Sequence, residues 1–470
     1  MTLSPSAVIR SAAVPRVTES AWAGLVVVCL GMMMTFLNIT QTAATLGPLQ
    51  QDLHVSSAEL VWVASVYSMV VASLVLSAGT LGDLLGRRAV FAAGTAVMGA
   101  GSLIVFLAGG PAGVIAGQAI MGAGGALILP NSLAIVTHAF RDPHERTTAV
   151  SIWVAISGVG LAIGPIAAGL LLEVSTWHSV FLVNVAVAAL VLGLTPALVP
   201  DSRHPDRRLD APGLLLAIVA IGTLNYGVIA GGHGGFGSAA VVAAFAVAVL
   251  AVAAFVAVES RSRTPMLHLP LFRISSFSTA NVVGLVGQYG FVGVALGQVL
   301  YLETVRHASI LSTGVQILPL MVSYVVVGSL AARIVRRTGF KAAIATGLLL
   351  TAAAATAMLW QEPTTDYVVT GTAMLLFGIG AGLLLPPATA TAVVSVPHQE
   401  GGMASATVNL FRQVGGTLGA SITGTILTST IAARHGFTGA LHVAVLIPAL
   451  AALVAAAATV AFIHTRPAHG

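Results

Sequence analysis

The chain has 470 residues, of which 57% are hydrophobic and only 7% charged, with a formal net charge of +5, whereas soluble domains carry roughly a quarter charged residues. No aqueous fold hides that much apolar surface, and the basic residues are scattered through short loops rather than clustered as a nucleic-acid-binding face would need. One cysteine, Cys29, excludes both a disulfide framework and a thiolate metal site.

A hydrocarbon core about 30 Å thick takes roughly 20 apolar residues per helical crossing, and runs of that length recur from Trp22 to the C-terminus. In chain order they are predicted near 22–45, 60–82, 89–108, 112–138, 147–172 and 177–198. The first run outlasts a short signal-peptide core and reads as a retained helix. A polar break, Pro200 to Asp210, then precedes spans near 211–231 and 236–258, and a second charged loop runs from Glu259 to Arg273. Spans near 277–302, 309–332, 341–360, 366–393, 402–428 and 439–464 complete fourteen crossings. The chain divides into a tail (1–21), a six-helix bundle (22–198), a linker with two inserted helices (199–276), a second six-helix bundle (277–464) and a tail (465–470).

Positive-inside bias tests this count. Arg10, Arg16, Arg87, Arg88, Arg141, Arg146, Arg203, Arg207, Arg208, Arg261, Arg263, Arg273, Arg333, Arg336, Arg337, Lys341 and Arg466 fall on one side; Arg306 and Arg434 fall on the other. A multi-pass protein of the cell membrane with both termini cytoplasmic follows. The halves are related: Gly122, Gly124 and Pro130 recur 256 residues on as Gly378, Gly380 and Pro386, and Gly160 and Gly164 recur 255 on as Gly415 and Gly419. The basic loop at Arg87 and Arg88 recurs at Arg336 and Arg337. Duplicated bundles that rock about a central site give alternating access, so the repeat itself points to transport.

The segment GTLGDLLGRRAVF, Gly79 to Phe91, resembles the loop signature of the major facilitator superfamily. With WVASVY at Trp62, GPIAAG at Gly164 and NLFRQVGGTLG at Asn409, the whole chain resembles that superfamily's drug:proton antiporter branch with fourteen spans. The resemblance implies an all-α major facilitator fold and export of hydrophobic or amphipathic drugs, antibiotics or secondary metabolites, driven by proton influx, from a protein acting as a monomer among membrane lipids. It makes Gly79, Asp83, Gly86, Arg87 and Arg88 a conformational latch, and Gly160, Gly164, Pro165 and Gly169 a pliable interface between the halves. Leu84 departs from the family, which has Arg there. Close helix packing is the plain alternative for the span-five glycines.

Two more departures bear on mechanism. Asn38 stands where the family has an embedded Asp, and Gln118 where it has Arg; both lie six or seven residues below the outer ends of their predicted spans. Losing one member of an ion pair strands a charge, while losing both is nearly neutral. The expectation is that these amides hydrogen-bond substrate or each other and that the proton travels elsewhere. Glu173, Glu303 and Arg412 are the coupling candidates, with interfacial or structural roles as the alternative; His442 and His464 read as interfacial. By family analogy Asn38, Gln41, Thr42, Tyr67, Gln118, Gln288, Tyr289 and Gln298 are the candidate substrate-binding residues, beside the soft surface of Met32, Met33 and Met34. The same polar residues could simply join helices.

No cofactor or metal site is expected: Asp201, Asp206 and Asp210 sit among Arg203, Arg207 and Arg208 in a solvated linker. No Gly-Lys phosphate loop suggests ATP-driven transport, and no constellation suggests an enzyme. Nutrient uptake by symport or facilitated diffusion, and a receptor that binds without translocating, remain the competing readings.

Overall fold

The computed structural model describes residues 19–140, 142–201, 210–262, 265, 267–397, 400–428 and 430–463. The two tails and most of the Pro200 to Asp210 linker, with Arg10, Arg16, Arg203, Arg207, Arg208, His464 and Arg466, lie outside the described residues, as do Arg141 and Arg263. The described chain is built from α-helices: α1 (Glu19–Leu53), α2 (Ser57–Leu85), α3 (Arg87–Phe106), α4 (Pro111–Ala139), α5 (Pro143–Val174), α6 (Trp177–Leu198), α7 (Ala211–Gly234), α8 (Ala239–Glu259), α9 (Ser275–Thr304), α10 (Ile310–Gln316), α11 (Leu318–Thr338), α12 (Phe340–Ala357), α13 (Tyr367–Val394), α14 (Gly401–Thr428) and α15 (Thr430–Phe462).

Among the described residues, twelve stretches are long and apolar enough to cross a membrane, two fewer than the sequence count. From α5 only the shorter piece Ile163–Val174 appears as an apolar helix, and α14 carries Asn409, Arg412 and Gln413 in its middle. The packing explains how α14 tolerates them: it lies against α2, α7, α9, α13 and α15, so protein rather than lipid surrounds its polar groups. Conversely α8, packed along α7, leaves Val249 and Leu250 68% exposed, as a lipid-facing helix should.

Three spans differ from the sequence reading. The first helix continues eight residues past the predicted end, to Leu53, where Trp177 Nε1 donates to Asp52 Oδ2 at 2.9 Å. The tenth breaks into α10 and α11 at Ile317, because Pro319 supplies no backbone donor and sits in a new first turn. The last begins earlier, with a non-helical Gly436 (φ 71°) inside α15.

The duplication is visible in how helices touch. A Cβ on Gly124 would stand 2.6 Å from the Gly94 carbonyl of α3, and one on Gly380 2.7 Å from the Gly347 carbonyl of α12. Gly122 meets the Tyr67 carbonyl of α2, and Gly378 the Leu320 carbonyl of α11. The fourth helix of each bundle is thus clamped backbone to backbone between the second and third, the close approach that small residues permit where no hydrophobic force drives helices together. Gly160 and Gly164 seat α5 on Met33 and Leu37 of α1, as Gly415 and Gly419 seat α14 on Leu285 and Tyr289 of α9. The tight turns also correspond: Gly86 (φ 104°) opens α3 and Gly339 (φ 83°) opens α12, conformations that favour glycine. The basic residues do not keep register, since Arg87 and Arg88 follow their glycine while Arg336 and Arg337 precede theirs.

The inserted helix α7 touches both bundles. Asn225 Nδ2 donates to Ser65 Oγ of α2 at 3.4 Å, and Ser421 Oγ of α14 donates to Asn225 Oδ1.

Candidate functional site

The neutral pair is a direct contact. Asn38 Nδ2 donates to Gln118 Oε1 at 3.0 Å, Gln118 Nε2 donates to Thr42 Oγ1 at 2.8 Å, and Thr42 Oγ1 donates to Asn38 Oδ1 at 3.4 Å. One helical turn separates Asn38 from Thr42, so both face α4, and the three side chains close a ring joining α1 to α4. Asn38 and Gln118 have no exposed surface. Two amides and a hydroxyl supply matched donors and acceptors without a charge, the arrangement that costs least in lipid.

A cavity lies between the bundles. Phe36, Ile39, Thr40, Thr42 and Ala43 of α1, Ala64 of α2 and Pro165 of α5 form one wall; Gln288, Phe291, Val292, Ala295, Leu296 and Val299 of α9, Ile317, Met321 and Tyr324 around α11, and Arg412 and Ala420 of α14 form the other. Its volume is about 60 Å³, against roughly 300–1,000 Å³ for sites that enclose drug-sized ligands. A molecule of that size does not fit the cavity as it stands.

Of the candidate binding residues, Thr42 and Gln288 are on this wall. Gln41 is held by its Nε2 bond to the Val180 carbonyl of α6 at 3.4 Å, and Tyr67 donates to the Thr35 carbonyl at 3.0 Å. Tyr289 is buried, its hydroxyl unpartnered among the described residues. Gln298 and Gln361 exchange reciprocal bonds at 2.9 and 3.3 Å, with His442 Nε2 2.9 Å from the Gln361 carbonyl. These groups fasten helices and leave the cavity largely apolar. Met32 and Met34 are fully buried, and Met33 packs under Gly160; Met321 is the methionine on the cavity wall.

Among the coupling candidates, Glu173 is exposed. Glu303 faces α1, with Oε2 3.4 Å from where a Gly47 Cβ would stand and a buried Oε1 lacking a partner among the described residues. Arg412 lines the cavity, and its Nη2 donates to Gln288 Oε1 at 3.3 Å.

At the far end of α2, Arg87 Nε and Nη2 donate to Asp83 Oδ1 at 3.1 and 2.9 Å, while Nη1 reaches the Ala134 carbonyl of α4 at 3.3 Å. Arg88 donates through its backbone N–H to Asp201 Oδ1 at 3.2 Å. A Cβ on Gly79 would meet only Pro130, at 3.8 Å. Gly82 lies under Asn131, whose Nδ2 donates to the Ala78 and Leu127 carbonyls at 3.0 and 2.8 Å. Gly160 and Gly164 pack within the first bundle, whereas Pro165 and Gly169 reach the second: a Gly169 Cβ would stand 2.7 Å from Leu311 Cα, and a Gly314 Cβ 3.0 Å from the Pro165 carbonyl carbon.

The sequence of the chain matches the description of the Major Facilitator Superfamily over residues 26–420. The chain belongs to that superfamily. It is 35% identical to the puromycin resistance protein of Streptomyces alboniger, covering 95% of this chain and 93% of that one. It is 32% identical to a cephamycin export protein of Amycolatopsis lactamdurans, covering 96% of each, and 33% identical to the multidrug resistance protein Stp of Mycobacterium tuberculosis, covering 87% of this chain and 76% of the relative. The crystal structure of a human organic anion transporter superposes with a TM-score of 0.66 at 17% identity, covering 94% of this chain and 100% of that one, which speaks to the fold. This superfamily member is a multi-pass, all-helical membrane protein of a transporter family, not an enzyme family.

Sequence reasoning missed Asn131, Asn225 and Gln361, each a polar residue in or beside an apolar helix. The rule that intramembrane polar groups seek partners marks them; their partners are long-range and unreadable. The apolar cavity wall left no sequence signal, since Phe36, Phe291 and Val292 look like any core residue.

Proposed function

We propose that this superfamily member exports small hydrophobic or amphipathic compounds by alternating access, coupled to proton influx, across the cell membrane that it crosses fourteen times with both termini cytoplasmic. The cavity between the bundles carries the reading. It sits midway along α1, α9 and α14, and the contacts of Gly169 with Leu311 and of Gly314 with Pro165 cap it toward the ends of α5 and α10 that the positive-inside bias places outside. Relatives with resistance and export names along nearly their whole length support the outward direction. Asp83, Arg87 and Arg88 then latch the cytoplasmic end around Gly79 and Gly86, Pro165 and Gly169 form the part of α5 that separates, and Glu303, half-buried at the α1 and α9 junction with its Oε1 enclosed, is favoured over exposed Glu173 as proton carrier. Asn38, Gln41, Tyr67, Gln118, Tyr289 and Gln298 act by holding the walls that Thr42 and Gln288 present to substrate.

Inside-out vesicles loaded with the protein test this directly. A cephamycin and neutral aromatic probes should accumulate when an inward-acid gradient is imposed and stop when a protonophore collapses it. Accumulation only in right-side-out vesicles would mean uptake; binding without net flux would mean a receptor.

A further inference from the structure

The cavity holds one charged side chain among its described lining residues, and that residue is a cation. Arg412 sits on α14 with no carboxylate on either wall. Its Nη2 makes a single bond, to the neutral Gln288 amide at 3.3 Å, and its Nε is buried with no partner among the described residues. A guanidinium carries five donors in a planar fork, so most of this one is unused beside a largely apolar wall.

Snorkelling does not account for it. Long basic side chains in lipid bend toward the nearer interface. Arg412 lies eleven residues from the start of α14 and sixteen from its end. Its stem crosses α9 at Gly284, where an added Cβ would meet Arg412 Cγ at 3.2 Å, and its head reaches Gln288. From Gly284 to Gln288 the path runs one turn further from Ser275, the nearer end of α9. The charge is therefore carried toward the middle of the protein, along a track that a glycine leaves open.

We infer that Arg412 is the receptor for the anionic group of the substrate, so that the preferred cargo is an amphipathic acid: a carboxylate or similar anion on an aromatic or aliphatic body. The inference rests on the exporter reading and narrows it. A carboxylate accepts two parallel N–H bonds from the fork, and Phe36, Phe291 and Val292 would cover the apolar body. An isolated cation in this cavity also repels cationic dyes, since no acid is present to neutralise them.

The test uses the full chain in nanodiscs and two matched probes, 1-pyrenebutyrate and 1-pyrenebutyramide, with binding read by fluorescence and empty discs subtracted. The carboxylate should bind at least tenfold more tightly than the amide, R412K should keep most of that preference, and R412Q should abolish it by weakening the acid alone. Equal affinities of the wild-type protein for the two probes, or an undiminished preference in folded R412Q, would overturn the assignment. Titrating chloride down to a chloride-free buffer separates the sources of the anion. No effect fits a substrate carboxylate, while a carboxylate preference that appears only without chloride would assign the site to inorganic anion and overturn the cargo claim. The wild-type comparison stands even where R412Q fails to fold. Flux in the vesicles fails independently: acid preference without export would refute the exporter reading alone, and export without acid preference this inference alone.

Discussion

The ring of Asn38, Gln118 and Thr42 can be broken one member at a time, and its worth can be measured. Replacing Gln118 by Leu keeps the volume close but removes the acceptor for Asn38 Nδ2 and the donor to Thr42 Oγ1. Asn38 Nδ2 is left buried without a partner, which costs about 1–3 kcal/mol, while Thr42 Oγ1 keeps its bond to Asn38 Oδ1. In membrane proteins the reference state also finds partners, and interhelical bonds average ~0.6 kcal/mol, with a maximum near ~1.7. Two bonds are lost here and water does not reach Asn38, so the upper part of that range applies: about 1.5 kcal/mol for Gln118→Leu, and similar for Asn38→Leu. The double variant leaves only Thr42 to be satisfied, and its hydroxyl can turn to the carbonyl of its own helix one turn back. It should therefore cost less than the sum, with a coupling of about 1 kcal/mol, well outside the ~0.3–0.5 kcal/mol scatter of independent sites. Reversible unfolding in mixed micelles gives the four stabilities. Additive costs would refute the claim that these amides sustain each other.

Other outcomes follow from the same contacts. Asn38→Asp alone should destabilise the chain, because a carboxylate replaces the donor facing Gln118 Oε1; adding Gln118→Arg should restore most of the loss and give flux a steeper pH dependence, whereas no recovery in a thermal-shift assay would show that the site cannot hold an ion pair. Gly124→Val and Gly380→Val should each prevent folding, with backbone atoms 2.6 and 2.7 Å from the new Cβ, beyond the ~1–3 kcal/mol of ordinary overpacking; Gly79→Ala, with 3.8 Å to Pro130, should fold normally in the same expression and size-exclusion test. Gly169→Leu should wedge α5 from Leu311 and expose the cavity. In a Cys29→Ser background, Ala43→Cys should then react faster with an impermeant maleimide, and an unchanged rate would remove this contact from the closure. Asp83→Asn should cut flux tenfold or more at a stability cost of about 1.5–3 kcal/mol, the range of a charge-assisted hydrogen bond; retained flux would deny the loop a gating role.

Composition settled the solvent of this protein, because a chain 57% hydrophobic and 7% charged has nowhere but lipid to put its surface, and helices are the elements that satisfy their own backbone there. The duplication was equally plain, since Gly122 and Gly124 recur 256 residues on as Gly378 and Gly380, and Gly124 and Gly380 are where the backbone approaches Gly94 and Gly347. Asn38 and Gln118 were legible as a neutral pair, but the full length of the first helix was not: Pro48 and the polar end of α1 hid eight further helical residues. What tertiary structure alone decided is which polar groups look inward. Gln298, Gln41 and Tyr67 read on paper like Gln288 and Thr42, yet the first three are spent on Gln361, Val180 and Thr35, and the other two reach the cavity. Helical periodicity fixes which side of a helix a residue occupies, but the neighbour on that side comes from the packing of both bundles, and only that packing turns Arg412 toward an empty middle instead of the nearer interface.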